Sequence, residues 1–131
     1  MDESELLAAA RDALDAAYVP YSEYEVGAAI ETADGDVYAG CNVENANFSN
    51  SLHAEEVAVG DAVKDGHRDF ARLVVTSAAR DAVTPCGMCR QTLAEFCDDD
   101  MPVLCDTGDG FERYTLGELI PDTITPEMLG K

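Results

Sequence analysis

The chain has 131 residues, 47% of them hydrophobic, and carries 27 acidic against 8 basic residues for a formal net charge of -19. Its length sets a single domain over residues 1–131, and its apolar content is enough for a packed core. Long nucleic acids are excluded as partners, because a phosphate backbone needs Lys/Arg neutralisation, and no run of about 18 apolar residues is present to span a membrane.

In chain order, residues 4–17 read as a helix. Ser4 is a capping residue, and Leu6, Leu7, Ala10, Leu14 and Ala17 recur at helical spacing. Pro20 ends it. Tyr24 to Thr32 reads as a strand with Val26, Ala28 and Ile30 on one face. Asp34-Gly35 is a strong hairpin signal, and Val37 to Cys41 is the returning strand. Gly27 and Gly40, inside strand-like stretches, imply close backbone approach. Asn42 to Leu52 is rich in Asn and Ser and reads as a long loop of the kind that carries function. A helix follows from about His53 to Lys64, with Ala54, Val57, Ala58 and Val63 inward. Arg72 to Ser77 is a short, nearly continuous apolar strand. Pro85 introduces a helix over Cys86 to Asp98, and Val103 to Cys105 is a strand. Gly108-Asp109-Gly110 turns the chain into Phe111 to Thr115, and Leu116 to Ile120 is a helical turn. Helices alternating with strands after an opening hairpin predict a layered α/β fold with a mixed sheet covered by helices.

Two motifs carry the chemistry. His53-Ala54-Glu55 opens one helix, and Pro85-Cys86-Gly87-Met88-Cys89 opens the next. Together they supply one imidazole, two thiols and one carboxylate. Three protein ligands with a fourth position left for water is the arrangement of a catalytic zinc site. Cys86 and Cys89 are three apart, so a helical first turn aims both at one point. His53 and Glu55 are two apart, so they share a site only if the helix N-terminus points at the metal. Both helix N-termini then converge, and their positive ends favour thiolates. H-x-E followed by P-C-x-x-C is the signature of zinc deaminases, in which the Glu is an acid/base and not a ligand. It assigns zinc, one ion per chain, to His53, Cys86 and Cys89, and proton transfer to Glu55.

The alternatives are weaker. A closed structural zinc site needs a fourth protein ligand, for which Cys41 is one candidate. A redox role for Cys86 and Cys89 leaves His53 and Glu55 with no task. Cys97 and Cys105 read as core residues, and His67, in a polar run, as a solvent-facing loop residue. The odd count of five cysteines, two of them in a C-x-x-C, favours a reducing, cytoplasmic compartment over a disulfide framework. The acidic N-terminus, with Asp2, Glu3 and Glu5, does not read as a secretory signal. The acidic excess reads as adaptation to concentrated salt, which screens self-repulsion.

Longer segments make the resemblance specific. PYSEYEVGAAI at 20–30, GCNVENANF at 40–48, HAEEVAV at 53–59, PCGMCRQTLAEF at 85–96 and LGELIP at 116–121 resemble, in order and spacing, the short homotetrameric cytidine deaminases. That resemblance implies a three-layer α/β/α fold around a mixed five-stranded sheet. It implies hydrolytic deamination of cytidine and 2'-deoxycytidine, free nucleosides being small partners that suit an acidic surface. Deamination of a modified cytosine nucleoside is the nearest alternative, and a non-catalytic zinc-stabilised nucleoside-binding protein a more distant one.

By the same resemblance, Asn42 and Glu44 hold the ribose hydroxyls and Tyr24 lines the base pocket. Phe48 supports the sugar side, the N–H of Ala54 meets the pyrimidine carbonyl, and Gln91 braces the pocket. Subunits of a homotetramer close the site, with Ile120 and Ile124 as candidate contacts. Two departures stand out. Short relatives commonly carry Cys-Ala-Glu-Arg where this chain has His53-Ala54-Glu55-Glu56. One His and two thiolates make a neutral zinc centre, so an Arg at position 56 is not required. At the tail, Ile124 stands where relatives commonly have a Phe, and it supplies apolar contact without ring stacking.

Overall fold

The computed structural model describes residues 2–131. Its elements are α1 (Glu3–Leu14), β1 (Val26–Thr32), β2 (Val37–Cys41), α2 (Ala54–Lys64), β3 (Phe70–Ser77), α3 (Gly87–Phe96), β4 (Pro102–Asp106), β5 (Phe111–Thr115) and α4 (Leu116–Leu119). The five strands form one sheet in the order β2-β1-β3-β4-β5. β1 pairs antiparallel with β2 and β3, and β4 pairs antiparallel with β5. The single parallel pair, β3 with β4, is joined through α3, as a parallel connection requires a crossover.

Strand alternation sorts the core into two halves. Ala29 of β1, Val74 of β3 and Leu104 of β4 meet Leu6 and Ala10 of α1 on one face. Ala28, Ile30, Leu73, Val75, Val103 and Cys105 point the other way, onto Ala54 and Ala58 of α2 and Leu93 of α3. Central strands covered on both faces read as continuous apolar runs, which accounts for β3. The expected three-layer arrangement is thus present, with the mixed sheet between α1 and the α2/α3 pair. No helix among the described residues is long and apolar enough to cross a membrane.

Gly27 and Gly40 have the predicted role. A Cβ at Gly27 would collide with the Ala10 carbonyl of α1, and one at Gly40 with the Ala54 carbonyl and Ala58 nitrogen of α2. Each glycine lets one helix lie flush on the sheet. Gly35, at φ 93°, supplies the left-handed residue of the β1–β2 turn.

Several boundaries and orientations differ from expectation. Asp2, not Ser4, caps α1: its carboxylate accepts the Glu5 N–H at 2.9 Å, and the Ser4 hydroxyl donates to it at 2.7 Å. α1 stops at Leu14, because the chain must turn so that Tyr18 can bridge to Val43. β1 begins at Val26 because Asn42 holds the preceding backbone. β3 starts earlier than predicted, at Phe70, and α3 ends earlier, at Phe96. On α2, Val59 and Ala62 are buried while Val57 and Val63 are only half-buried, since the helix faces the sheet about a quarter-turn from the predicted stripe. His67 is not solvent-facing. Only 16% of its side chain is exposed, its Nε2 lies 3.3 Å from Asp36 Oδ2, and its ring packs on Tyr38 at 5.4 Å. The hairpin tip folds over it, a contact between segments far apart in sequence. Short 3-10 turns at Phe48–Asn50 and Pro126–Leu129 lie where no regular structure was predicted.

Candidate metal and nucleoside site

His53 is the N-cap of α2, and Cys86 is the N-cap of α3. Cys89 lies in the first turn of α3 and is buried. The two helix N-termini therefore converge as the spacing predicted. His53 Nδ1 lies 3.0 Å from Cys86 Sγ and 3.3 Å from Cys89 Sγ, and the two sulfurs are 3.7 Å apart. Two thiolates on one tetrahedral zinc, each at about 2.3 Å, sit about 3.8 Å from each other. The donor set and its spacing fit zinc. Among the described residues, these three form the one His/Cys/Asp/Glu group with donor atoms all within 4.8 Å of one another. Cys41 is not in it, and among the described residues no fourth His, Cys, Asp or Glu joins the group. Burial, with Glu55 and Cys86 nearby, pushes the Cys89 thiol up. A cation is what would ionise it.

Glu55 sits in the first turn of α2 and is 5% exposed. Burial holds its carboxyl above the ordinary range, against its own backbone N–H, His53 and the Cys89 thiol, which pull it down. A carboxyl so placed holds a proton more readily than a solvated one. The Glu56 carboxylate accepts the His53 N–H at 3.1 Å and lies 3.9 Å from His53 Nδ1.

These groups open into a cavity of about 290 Å³ lined by Tyr24, Val26, Asn42, His53, Ala54, Glu55, Val83, Thr84 and Cys86. Tyr24, Asn42 and Ala54 thus line one cavity with His53 and Glu55. Asn42 also holds the entrance to β1: its Nδ2 donates to Tyr24 O at 2.8 Å and its Oδ1 accepts the Val26 N–H at 3.0 Å. Val26, Val83 and Thr84 were not foreseen as lining. Thr84 carried a signal, since it abuts Pro85-Cys86; Val26 and Val83 carried none beyond apolarity.

Other predicted residues lie beside this cavity, not in it. Glu44 and Phe48 line an adjoining hollow with Tyr21, Ser22 and Ser51. The Glu44 carboxylate accepts the N–H groups of Tyr21 and Ser22 at 3.0 and 3.1 Å, and the Ser22 hydroxyl at 2.5 Å. The Ser22 hydroxyl and these N–H groups hold its pKa below the ordinary value against burial. Phe48 is 72% exposed and meets Tyr21 edge-on at 5.6 Å. Gln91 faces the tail: its Nε2 donates to Ile124 O at 3.1 Å, and its Oε1 accepts the Thr123 hydroxyl at 2.6 Å. Ile120 packs partly against the chain's own core, while Ile124 is exposed.

Comparison with known proteins agrees with this geometry. Residues 1–105 match the family described as the cytidine and deoxycytidylate deaminase zinc-binding region. A cytidine deaminase of Sporosarcina psychrophila is 43% identical over 130 residues, covering 98% of this chain and 96% of its own. A crystal structure of cytidine deaminase from Burkholderia pseudomallei superimposes with a TM-score of 0.89 at 36% identity, over 95% of this chain and 100% of that one. A more distant relative, blasticidin-S deaminase of Bacillus cereus, is 32% identical over 109 residues, 76% of each chain. A mixed sheet flanked by helices, a His-Cys-Cys donor set at two helix N-termini and matches over nearly the whole length place this chain in the cytidine deaminase family of zinc hydrolases.

Proposed function

We propose that the protein catalyses hydrolytic deamination of cytidine and 2'-deoxycytidine to the uridine products, with release of ammonia. The observation that carries this reading is the buried Glu55 beside the His53, Cys86 and Cys89 donors, at the wall of a cavity sized for a base.

His53, Cys86 and Cys89 hold zinc. When bound, zinc supplies the Lewis acidity that makes water reactive near neutral pH. Glu55 is the proton carrier. Its raised affinity for protons suits it to take one from water as the oxygen bonds to the amidine carbon, deliver it to the ring nitrogen, and then pass the new hydroxyl's proton to the amine as the C–N bond breaks. Tyr24 lies against the base, and the Ala54 N–H, free at the first turn of α2, meets the pyrimidine carbonyl. Asn42 and Glu44 address the ribose hydroxyls. Each already braces backbone, so each is rigid before a sugar arrives. Phe48 supports the sugar side, and Gln91 braces the pocket indirectly by fixing the tail.

The working unit in this reading is a single-domain chain in a homotetramer, acting in the cytoplasm in pyrimidine salvage. Tyr18, Tyr21, Val43, Phe48 and Leu52 are exposed, as are Ile124, Met128 and Leu129 on the tail. A neighbouring subunit covering such faces would shield the pocket. The excess of acidic groups supports adaptation to high salt. The net charge of -19 disfavours a phosphate-backbone partner.

The blasticidin-S deaminase relative favours one second reading, a modified cytosine nucleoside as substrate. Ultraviolet monitoring of cytidine, 2'-deoxycytidine and an aminoacylated cytosine nucleoside in concentrated KCl tests both. Turnover of the plain nucleosides supports the first reading. Turnover confined to the modified nucleoside supports the second.

A further inference from the structure

The segment that delivers Cys86 to the site has no regular structure of its own. Residues 78–86 connect β3 to the start of α3. Within them Ala82 takes a φ of 54°, in the left-handed region that side chains rarely adopt. Its N–H donates to Asp106 O at 2.9 Å, which ties the middle of the segment to β4.

The far end is fixed by one side chain. Arg90, a turn into α3, folds its guanidinium back over the segment. Its Nε donates to Pro85 O at 2.6 Å and its Nη2 to Thr84 Oγ1 at 3.1 Å. Its Nη1 donates to Leu119 O at the end of α4, at 2.7 Å. Among the described residues no carboxylate forms an ion pair with Arg90, in a chain with 27 acidic residues. Its planar fork is engaged by neutral acceptors from two separate segments. Pro85 has no N–H and Thr84 lies on the cavity wall, so these contacts set where the wall stands and how Cys86 enters the metal site.

We propose that Arg90 is a positioning residue for the reaction: it locks the Thr84–Cys86 turn, and thereby fixes both the metal-site geometry and the cavity wall beside it. The proposal rests on the deaminase reading above. It also makes the site sensitive to how α4 docks, because Leu119 shares the same guanidinium.

The test uses zinc-loaded parent, Arg90→Gln, Arg90→Lys, Thr84→Val and the Arg90→Gln/Thr84→Val pair. Two readouts are taken: the rate at which a chelator strips zinc, and kcat and KM for cytidine with zinc saturating. Arg90→Gln should release zinc on the order of tenfold faster and lower kcat on the order of tenfold, as loss of a group that orients metal ligands does. A merely structural Arg90 would lower the melting temperature only. Zinc release and kcat within about twofold of parent in the folded, loaded variant overturn the proposal. Arg90→Lys keeps the charge but replaces the fork with one compact ammonium. Its zinc release should fall between parent and Arg90→Gln, and it serves alone if Arg90→Gln does not fold; parent-like release overturns the proposal. In the pair, the kcat losses should be less than multiplicative, since Arg90 acts through Thr84; fully multiplicative losses overturn that route. A parent enzyme inactive on cytidine refutes the plain-nucleoside reading, while zinc release still judges Arg90.

Discussion

The carboxylate of Glu56 accepts the backbone N–H of His53 at 3.1 Å, so the residue that follows Glu55 closes the helix end that presents the histidine. Here the carboxylate is a cap. Glu56→Ala should therefore cost about 1 kcal/mol of stability, the usual size for a lost cap. Urea denaturation of the zinc-loaded protein measures it, and an unchanged midpoint would contradict the capping role.

Glu55→Gln should keep fold and zinc but lose most turnover. The amide has the size of the carboxyl and cannot carry a proton, and positioned acid–base groups contribute typically about 10²–10⁴-fold. Elemental analysis and initial rates on the same sample separate the two effects. Turnover within about threefold of parent would remove Glu55 from the chemistry.

Zinc uptake should release protons. Burial holds the Cys89 thiol protonated in the absence of metal, and only the thiolate binds. Apparent zinc affinity should fall as pH is lowered, and Cys89→Ala should lose both the metal and this pH dependence. Metal titration in buffers of different ionisation enthalpy detects the proton release; equal heats across buffers would count against it.

Asp106 gives a pH prediction away from the site. Burial alone would raise its carboxyl. The Gly108 N–H, the Thr76 hydroxyl and Arg11 outweigh that and hold it below the ordinary 3.8. A group whose pKa is lower folded than unfolded stabilises the fold above the unfolded value, and loses that effect as pH falls through the folded value. Asp106→Asn should thus melt below parent at neutral pH, and the gap should narrow as pH drops below 3.8. A gap independent of pH would show that shape, not charge, matters there.

Dilute buffer should loosen both fold and assembly. With a net charge of -19, subunits that meet bring like charges together. The melting temperature should be higher in molar KCl than in dilute buffer, where equal values would refute salt adaptation. Light scattering in molar KCl should give about four times the 14.0 kDa chain mass. A fully active species of monomer mass would refute the tetramer.

Much of the fold and the metal site was legible from local pattern. Alternation placed Ala28 and Ile30 opposite Ala29, Asp34-Gly35 marked the hairpin, and the two motifs placed His53, Glu55, Cys86 and Cys89 at helix starts. What escaped depends on which distant segments meet. Glu44 ends on the backbone of Tyr21 and Ser22, Gln91 on Thr123 and Ile124, and His67 under the β1–β2 turn. None of these partners lies within a helical turn or a strand step of its residue. The α1 cap escaped for another reason: Asp2 and Ser4 are both good caps, and the choice between them is a matter of local competition that composition does not resolve.

Gly40 has a reach well beyond its strand. With no side chain there, the Ala54 peptide rests on the sheet, and the next residue along that peptide is Glu55. A single methyl at Gly40 would lift the front of α2 as a wedge lifts a lever, swinging His53 and Glu55 together while Cys86 and Cys89, on α3, stayed where they are. The distance between the two halves of the centre is therefore calibrated from β2, by a residue whose nearest neighbours on α2 are Ala54, Val57 and Ala58.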